Sequence, residues 1–499
     1  MPKTITLKAT DGTPLQYVDE IIGQGGMKDV YFSPDRSYVV AFFREKQDYN
    51  SIERLENIVG DYRRKIFEQE GGSYWKNLYC WPEKLINIGG RVGVTAPAYA
   101  SNYFFEFGSA NDDMLGIRGS EKQGKWFASA NHRQKHLDPR ERGDWFGYLR
   151  VCLKIARSVR RMHAAGLAHS DLSYKNVLVD PVGGNACLID LDGLVVPGKF
   201  PPDVVGTPDF IAPEVMATLT LPRDAKNKAL PRIETDRHAL AVLVYMYLLY
   251  RHPLRGQKLH DQDPQKDEEL LMGSKALFIE NPRDVSNRLN PKSARPSELP
   301  WADTNRIPFS VAGPYLKELF EQSFIGGLHA PIKRPTAEDF EVALIRTIDL
   351  LQPCSNKKCD QKWFVFDNTT NPACPFCGTP YNRPLPILNL YSARGSSTFR
   401  PDNHRVMVYH NQYLYLWHVF RTIFPNEKLT SDQTKPVGYF AFHGNKWMFV
   451  NQTLTGLKDV TADKPIPIGE ALELIDGQQI LLSPEEGGRL IQVQMTGTK

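Results

Sequence analysis

Residues 169–193 have the sequence His169-Ser-Asp-Leu-Ser-Tyr-Lys-Asn-Val-Leu-Val-Asp-Pro-Val-Gly-Gly-Asn-Ala-Cys-Leu-Ile-Asp-Leu-Asp-Gly193. Two short apolar runs in this stretch, Val177–Val179 and Cys187–Ile189, flank a Val-Gly-Gly-Asn turn. Apolar runs on both sides of a glycine turn predict a small β-hairpin. Oxygen-bearing side chains stand just outside both strands, so the ends of this hairpin are the first candidates for chemistry.

Four polar side chains frame the hairpin: Asp171 and Asn176 precede it, and Asp190 and Asp192 follow it. Phosphoryl transfer needs such a set, because an acidic residue must meet the acceptor hydroxyl while oxygen ligands hold magnesium on the phosphates. The segment resembles the catalytic and metal-binding loops of protein kinases. The resemblance implies that Asp171 is the catalytic base and that Asn176 and Asp190 bind Mg²⁺, with Asp192 as an additional or competing ligand. A hairpin with polar ends would show the same residues, so the interpretation depends on the rest of the chain.

A glycine turn near the N-terminus gives the second resemblance. Gly23, Gly25 and Val30 fit the pattern G-x-G-x-x-G-x-V, which is similar to the glycine-rich loop of kinases. This implies that the backbone lies over the triphosphate of ATP and that the valine packs on the base. Lys28 stands in place of the third glycine, and Phe43 stands where the V-A-I-K strand has its phosphate-binding lysine.

These two departures resemble the with-no-lysine kinases, in which a lysine at the third-glycine position reaches into the same space. We therefore expect Lys28 to be the cation that binds the phosphates during catalysis; the alternatives are a surface lysine beside an inactive site, or Arg44 as the cation. Residues 51–69 have apolar side chains near a period of 3.6 and predict a helix. The resemblance implies that an acidic residue of this helix steadies the lysine, and Glu56 is the first candidate. Its rivals are Asp61 and Glu68.

The segment after the hairpin lacks both halves of a common kinase switch. Ser170 replaces the arginine that usually precedes the catalytic aspartate and pairs with a phosphorylated activation segment. Residues 193–206 contain no Ser, Thr or Tyr, which leaves Thr207 as the one site that could overturn the argument. We therefore predict activity that does not require phosphorylation of the activation segment.

Further motifs predict the residues that hold the C-terminal lobe together. Gly206-Thr-Pro-Asp-Phe-Ile-Ala-Pro-Glu214 resembles the G-T-P-x-Y-x-A-P-E segment of serine/threonine kinases. The resemblance implies that Asp236, on a buried helix, braces the catalytic loop and that Arg334, in an R-P-T motif, pairs with Glu214. His169 is expected to be a packed, hydrogen-bonded structural histidine.

Four cysteines form a metal-binding pattern: Cys354 and Cys359 are followed, after fourteen residues, by Cys374 and Cys377. Two such pairs predict a zinc ribbon, in which four thiolates complete a tetrahedron around Zn²⁺. Because protein ligands close the coordination shell, the zinc is expected to be structural. A unit this small needs the metal, since it cannot bury enough apolar surface by itself.

Residues 385–499 show short alternating runs separated by glycine turns, which predict a β-sandwich. The expected strands are Arg405–Tyr409, Gln412–Trp417, Val437–Phe442, Lys446–Asn451, Gln479–Leu482 and Leu490–Gln494. The stretch around Lys446 faintly resembles the forkhead-associated fold, but its phosphothreonine-binding residues are not evident. No binding residue is therefore assigned in this region.

The composition is that of an ordinary soluble chain. Its 499 residues suggest about two to four domains, 41% are hydrophobic, and the net charge of +4 gives no reason to expect nucleic acid or membrane partners. The longest apolar run, Ala239–Tyr250, is shorter than the roughly 20 residues that span a bilayer. The start of the chain has no apolar core of signal-peptide length. Cysteines with metal spacing fit a reducing cytoplasm better than a disulfide scaffold.

Together the motifs predict an α+β chain with a bilobal protein kinase fold, a zinc ribbon and a small β-sandwich. The expected boundaries are 15–100 and 101–350 for the two lobes, 351–383 for the ribbon and 385–499 for the sandwich. This order resembles the bacterial kinases of tellurium-resistance and stress loci. It implies ATP-dependent phosphorylation of protein Ser/Thr, with a von Willebrand A-domain protein and a metal-dependent phosphatase as partners. The alternatives are a pseudokinase scaffold and a kinase fold that transfers AMP.

Overall fold

The computed structural model describes residues 2–24, 27–68, 71–201, 206–222, 224–366, 372–393 and 398–496. The chain divides into two compact units. The first comprises Met1–Gly143, Gly147–Pro308 and Glu318–Glu341, and the second comprises Asp144–Phe146, Phe309–Lys317 and Val342–Lys499. Within the described residues, no helix is both long and apolar enough to cross a membrane.

The first unit begins with a hairpin and a five-stranded antiparallel sheet. Strands β1 (Thr4–Lys8) and β2 (Pro14–Val18) form the hairpin. The sheet has the order β3-β4-β5-β7-β6, with bounds Ile21–Gln24 for β3, Lys28–Phe32 for β4, Tyr38–Phe43 for β5, Lys84–Ile88 for β6 and Arg91–Pro97 for β7. Tyr17 of the hairpin packs on Tyr31 and Phe42 of the sheet, with ring centroids 5.0 and 5.7 Å apart. The hairpin therefore shares the core of the sheet, and the N-terminal lobe extends further towards the N-terminus than the expected residue 15.

The helix expected over 51–69 is present and is made of three consecutive pieces. They are α1 (Tyr49–Asn57), a π-helical turn (Ile58–Tyr62) and α2 (Arg63–Phe67). Asp48 begins the helix, because its side chain accepts a hydrogen bond of 2.7 Å from the backbone N–H of Ser51. Leu55 is buried in the apolar cluster of the sheet, against which Ile52 and Val59 also pack.

The remainder of the first unit is mainly helical and contains the expected hairpin. The strands of this hairpin are β8 (Val177–Asp180) and β9 (Asn185–Leu188). The helices are α3 (Gly72–Lys76), α4 (Ala110–Asp113), α5 (Trp145–Ala164), α6 (Pro213–Met216), α7 (Ile233–Leu249), α8 (Pro264–Met272), α9 (Pro314–Glu321) and α10 (Ala337–Ile348), of which α5, α9 and α10 continue across the boundaries of the units. Helix α7 is apolar on nearly all sides and buried, which makes it the centre of this part of the fold.

The second unit contains a short hairpin and two antiparallel sheets. Strands β10 (Leu351–Pro353) and β11 (Trp363–Val365) form the hairpin beside the cysteines. The sheets have the orders β13-β12-β21-β20-β17-β18 and β14-β15-β16-β19. Their bounds, with one helical turn α11 (Leu416–Val419), are β12 Pro386–Ala393, β13 Phe399–Met407, β14 Tyr413–Tyr415, β15 Pro436–His443, β16 Lys446–Asn451, β17 Lys458–Asp459, β18 Lys464–Pro465, β19 Ala471–Glu473, β20 Gln479–Leu481 and β21 Arg489–Met495.

The two sheets of the second unit face each other across an apolar layer. Leu388 and Ile491 of the six-stranded sheet line the same small enclosed space as Leu414, Phe440 and Phe449 of the four-stranded sheet. Two antiparallel sheets that share a core in this way form a β-sandwich. All six expected strands are present, with ends that differ by a few residues for several of them.

Candidate active site

The Asp171 carboxylate is held by two neighbours. Asp171 Oδ1 accepts hydrogen bonds from the backbone N–H and the hydroxyl of Thr207, at 2.7 and 2.8 Å. Asn176 Nδ2 donates to Asp171 Oδ2 at 2.9 Å and to the Asp171 backbone carbonyl at 2.8 Å. These bonds fix the orientation of the carboxylate at the N-terminal end of β8.

Three residues around this carboxylate have positive φ angles: Ser170 (68°), Asp190 (60°) and Gly206 (116°). Such angles are costly for residues with a Cβ and are common where the surrounding structure fixes an active site. A Cβ at Gly206 would lie 3.2 Å from the backbone oxygen of Ser170. The glycine therefore allows the activation segment to approach closely enough for Thr207 to reach Asp171.

Asp236 of helix α7 binds the backbone of the two residues that precede Asp171. Its carboxylate accepts hydrogen bonds from the backbone N–H groups of His169, at 2.7 Å, and Ser170, at 3.1 Å. The ring of His163 lies 3.2 Å from the same carboxylate. His169 itself is buried, and its Nε2 lies 3.2 Å from the backbone oxygen of Ile189, next to the metal-binding loop. Asp236 and His169 thus each contact the backbone of a loop next to Asp171 or Asp190.

Lys28 extends from the sheet of the N-terminal lobe to the segment that follows β9. On β4 it lies directly opposite Phe43 of β5, and its Nζ is 5.5 Å from the centroid of the Phe43 ring. Lys28 Nζ donates to Asp190 at 3.0 Å and to both oxygens of Asp192 at 2.7 and 2.8 Å. The lysine on the neighbouring strand thus reaches the carboxylates that follow the hairpin.

The charges of this cluster stabilise one another. Burial opposes the charged form of Lys28, but the carboxylates of Asp192 and Asp190 outweigh burial and raise the pKa of Lys28. Partial desolvation also opposes the charge of Asp190, whose side chain keeps about half of its surface exposed, yet the nearby ammonium lowers the pKa of this carboxyl below its usual value. Lys28 and Asp190 are therefore both charged at neutral pH.

The structure does not bring Glu56 to Lys28. Within the described residues, the carboxylates that pair with Lys28 are those of Asp190 and Asp192, whereas Glu56 is exposed on α1. Both rivals, Asp61 and Glu68, are exposed as well. The helical period placed the apolar face of α1 correctly but could not show that the acidic partner comes from another segment.

Arg44, the alternative cation, belongs to a different surface. Its Nε lies 3.7 Å from Asp29, and 43% of its side chain is exposed. Asp29 follows Lys28 directly on β4, and consecutive residues of a strand point to opposite faces, so the partner of Arg44 lies on the other face of the sheet from Lys28.

The glycine loop and its valine lie on the expected strands. Gly23 of β3 pairs with Val30 of β4, and Val30 packs against the apolar cluster that contains Ala41 and Val94. Gly25 lies outside the described residues. On the hairpin side, Leu178 and Ile189 belong to a second buried apolar cluster, against which Tyr99 and Cys80 pack. Val30, Tyr99 and Cys80 are only partly buried, so they keep apolar surface of the kind that a nucleotide base packs on.

The oxygen ligands expected for Mg²⁺ are available at this site. Because Asn176 Nδ2 donates to Asp171, its Oδ1 atom is the end left to act as a ligand. The Asp190 side chain is 53% exposed and uses one oxygen for Lys28. Carboxylate and amide oxygens are the ligands that Mg²⁺ prefers. The backbone N–H of Ile189 donates to the Asn176 carbonyl at 3.0 Å, which joins the catalytic and metal-binding loops.

Glu214 and Arg334 form the expected ion pair. Arg334 donates to both carboxylate oxygens of Glu214, at 2.9 and 2.7 Å, and its side chain is fully buried. This pair ties the end of the activation segment to the segment before α10.

The four cysteines of the second unit form one cluster. The sulfur atoms of Cys354, Cys359, Cys374 and Cys377 lie within 4.8 Å of one another; the Cys354–Cys377 pair is 3.6 Å apart and the Cys359–Cys374 pair 3.9 Å. Four sulfurs bound tetrahedrally to zinc at about 2.3 Å would be about 3.8 Å apart. The cluster is therefore compatible with a structural zinc ion.

Two features of the site were not found by sequence reasoning. The sequence presents Thr207 only as a possible phosphorylation site, whereas the structure shows that its backbone N–H and its hydroxyl both donate to Asp171. Asp192 was considered as a metal ligand, although it binds Lys28 through both oxygens. The only signal for the second feature was the acidic residue itself, in a place where kinases have glycine.

Comparison with known proteins gives the family of the C-terminal lobe. Residues 128–338, less than half of the chain, match the family model described as protein kinase domain. The relatives include serine/threonine-protein kinase PknD of Chlamydia abortus, 30% identical over 23% of this chain, and serine/threonine-protein kinase PkaB of Streptomyces coelicolor, 30% identical over 21%. Another is serine/threonine-protein kinase dkf-1 of Caenorhabditis elegans, 29% identical over 22% of this chain. The matches span only 14%, 26% and 15% of the lengths of these relatives. With the site geometry, the family match shows that the chain contains a protein kinase domain.

Proposed function

We propose that the chain is an ATP-dependent protein serine/threonine kinase. The observation that carries the proposal is the contact of Lys28, from the N-terminal sheet, with Asp190, next to the loop that holds Asp171 and Asn176. A cation, oxygen ligands for Mg²⁺ and an acidic residue are the parts that phosphoryl transfer requires. The names of the bacterial relatives support Ser/Thr as acceptor.

Each residue has a distinct part in the proposed reaction. Asp171, oriented by Thr207 and Asn176, accepts the proton of the substrate hydroxyl as the hydroxyl meets the γ-phosphate. Lys28 binds the phosphates of ATP. Asn176 and Asp190 would hold Mg²⁺, which supplies neutralisation of the phosphate charge when it is bound.

The activation segment is proposed to work without phosphorylation. In place of a phosphate contact, the buried Arg54 of α1 donates to the backbone oxygen of Pro201 at 3.2 Å. Glu53 of the same helix lies 3.6 Å from Lys199. These contacts join α1 to a segment whose residues 193–206 contain no Ser, Thr or Tyr. A backbone carbonyl and a carboxylate thus supply interactions that other kinases obtain from a phosphate.

Labelled ATP distinguishes the proposed function from its two alternatives. Transfer of label from the γ-position to protein Ser/Thr, abolished in Asp171→Ala, is the expected result. Label transferred from the α-position would identify an AMP transferase. Absence of transfer from either position, in a chain that keeps its fold, would support the pseudokinase scaffold.

The activation-segment proposal has its own test. Treatment with a protein phosphatase should leave the rate of phosphoryl transfer unchanged, whereas Arg54→Met should lower it several-fold because α1 loses its bond to Pro201. Arg64→Met, which removes an exposed arginine of α2, is the matched control and should keep the rate. A rate that falls after phosphatase treatment would refute the proposal.

The cellular setting is proposed from the order of the domains. A kinase domain followed by a four-cysteine unit and a β-sandwich supports a cytoplasmic kinase of a tellurium-resistance and stress-response system. Its substrate would be a von Willebrand A-domain protein, and a metal-dependent phosphatase would reverse the modification. Mass spectrometry of such a substrate after incubation with the kinase and ATP tests this assignment. The forkhead-associated resemblance of the sandwich stays a prediction, to be tested by phosphothreonine-peptide binding.

A further inference from the structure

We propose that Asp192 is a positioning residue that anchors Lys28 in the nucleotide site. Asp192 then has the role that was expected for Glu56. The acidic partner of Lys28 comes from the segment after β9 and not from α1. The inference rests on the proposed function, because it concerns the cation that would bind the phosphates of ATP.

The two carboxylates beside Lys28 differ in how they hold it. Asp192 contacts the ammonium with both oxygens, at 2.7 and 2.8 Å, while Asp190 uses one oxygen at 3.0 Å. The Asp192 side chain is 8% exposed, whereas that of Asp190 is 53% exposed. A buried carboxylate needs a cation, and Lys28 is the cation that pairs with Asp192 within the described part of the chain.

Because Asp190 and Asp192 differ in exposure and in their contacts with Lys28, they can have different roles. Asp190 has an exposed oxygen that can turn to Mg²⁺ without breaking the pair between Lys28 and Asp192. Asp192 has both oxygens occupied by Lys28, so it is poorly placed to be the competing metal ligand that the sequence suggested. Residue 192 can therefore keep the lysine in place while residue 190 changes partners.

The position of Phe43 explains why the anchor has to come from this loop. Phe43 lies opposite Lys28 on the neighbouring strand and belongs to the apolar cluster that also contains Leu55 of α1. Its ring therefore lies beside the lysine, at the sequence position where the V-A-I-K pattern has its phosphate-binding lysine. An acidic residue that follows the hairpin reaches Lys28 from the other side.

Double-mutant binding measurements on the full-length chain test the anchor. The variants are Asp192→Asn, Asp192→Glu, Lys28→Met and the double variant Lys28→Met/Asp192→Asn, with the exposed Asp284→Asn as the control. Affinity for ATP is measured with Mg²⁺ and with EDTA, together with kcat and KM for phosphoryl transfer. Loss of a charge-assisted contact to Lys28 should weaken ATP binding about tenfold.

The anchor predicts three results that a loss of stability alone would not produce. Asp192→Asn should weaken ATP binding equally with Mg²⁺ and with EDTA, Asp192→Glu should restore part of it, and the double variant should bind no worse than Lys28→Met. The control should behave as the wild-type chain does. KM for ATP should rise more than kcat falls, because Lys28 binds phosphates before the chemical step.

Other outcomes would overturn the inference. An effect of Asp192→Asn that vanishes in EDTA would make Asp192 a metal ligand. Effects of Asp192→Asn and Lys28→Met that add fully, or an Asp192→Asn variant with wild-type affinity, would show that Asp192 does not act through the lysine. A wild-type chain that binds no ATP would overturn both the anchor and the kinase function. A wild-type chain that phosphorylates protein while Asp192→Asn is unaffected would overturn the anchor alone.

Discussion

Breaking the pair of Arg334 and Glu214 is expected to destabilise the kinase domain strongly. The Arg334 guanidinium donates five hydrogen bonds: two to Glu214 and one each to the backbone oxygens of Gly327, Leu328 and Glu234. These are all the N–H groups that an arginine has. No exposed part of the side chain is left for water to solvate.

The magnitude follows from what each substitution leaves behind. Arg334→Met leaves the Glu214 carboxylate and three carbonyls without these donors, and Glu214→Gln leaves a fully buried cation without its anion. Removing one partner of a buried pair costs roughly 3–5 kcal/mol. At roughly 2–4 °C per kcal/mol for a domain of 150–250 residues, the midpoint of thermal unfolding should fall by roughly 6–20 °C.

Differential scanning calorimetry of the two single variants and the double variant tests this reasoning. The double variant Arg334→Met/Glu214→Gln should be less destabilised than the sum of the single variants by at least about 1 kcal/mol, because the second substitution removes a group that the first had left unpaired. Arg283→Met, at an exposed arginine, should change stability by no more than about 0.5 kcal/mol. Full additivity, or a cost below about 1 kcal/mol for Arg334→Met, would refute the argument.

Three further predictions concern the nucleotide, pH and zinc. Lys28→Met should weaken ATP binding at least about tenfold in a fluorescence titration, whereas Arg44→Met should leave it unchanged; the reverse would make Arg44 the phosphate-binding cation. Burial lowers the pKa of His252 to about 4, and its ring donates to one backbone carbonyl and accepts from one backbone amide. Because the unfolded ring takes up a proton below about pH 6.5 while the folded ring stays neutral, stability should fall as the pH drops from about 6.5 to 4, by up to roughly 3 kcal/mol. In urea unfolding, His252→Asn should remove that dependence, and an unchanged pH profile would contradict it. The chain should carry one zinc ion, measured by plasma mass spectrometry; Cys354→Ser should lose it and Cys152→Ser should keep it, while a chain without zinc at full stability would rule out a structural metal.

Much of the kinase domain could be predicted because its motifs combine residue type with fixed spacing. Asp171, Asn176 and Asp190 surround one hairpin, so local sequence alone brings them close. The pair of Arg334 and Glu214 is separated by 120 residues, yet both partners lie in recognisable motifs. In each case a motif that predicts the local structure also predicts which residues are in contact in the folded chain.

The features that were missed depend on contacts that no local pattern encodes. The partner of Lys28 was expected on α1 because the resemblance placed it there, but the exposed side of α1 bears Glu56 and the contact comes from Asp192. Strand β12 (Pro386–Ala393) was not predicted, because its first three residues are all buried and so lack the alternation of apolar and polar residues that indicates a strand. The first hairpin was missed because its few apolar residues pack on Tyr31, Val40 and Phe42 of the sheet, and the local sequence does not show this contact.

The bracing of the catalytic loop by helix α7 has a consequence for the exchange of amide hydrogens with solvent. The N–H groups of His169 and Ser170 are bound to Asp236, a residue of the most deeply enclosed helix of the first unit. Segments whose hydrogen bonds end on such a helix open only when the whole cooperative unit opens. These two amides should therefore be among the slowest in the domain to take up deuterium, although they belong to a loop.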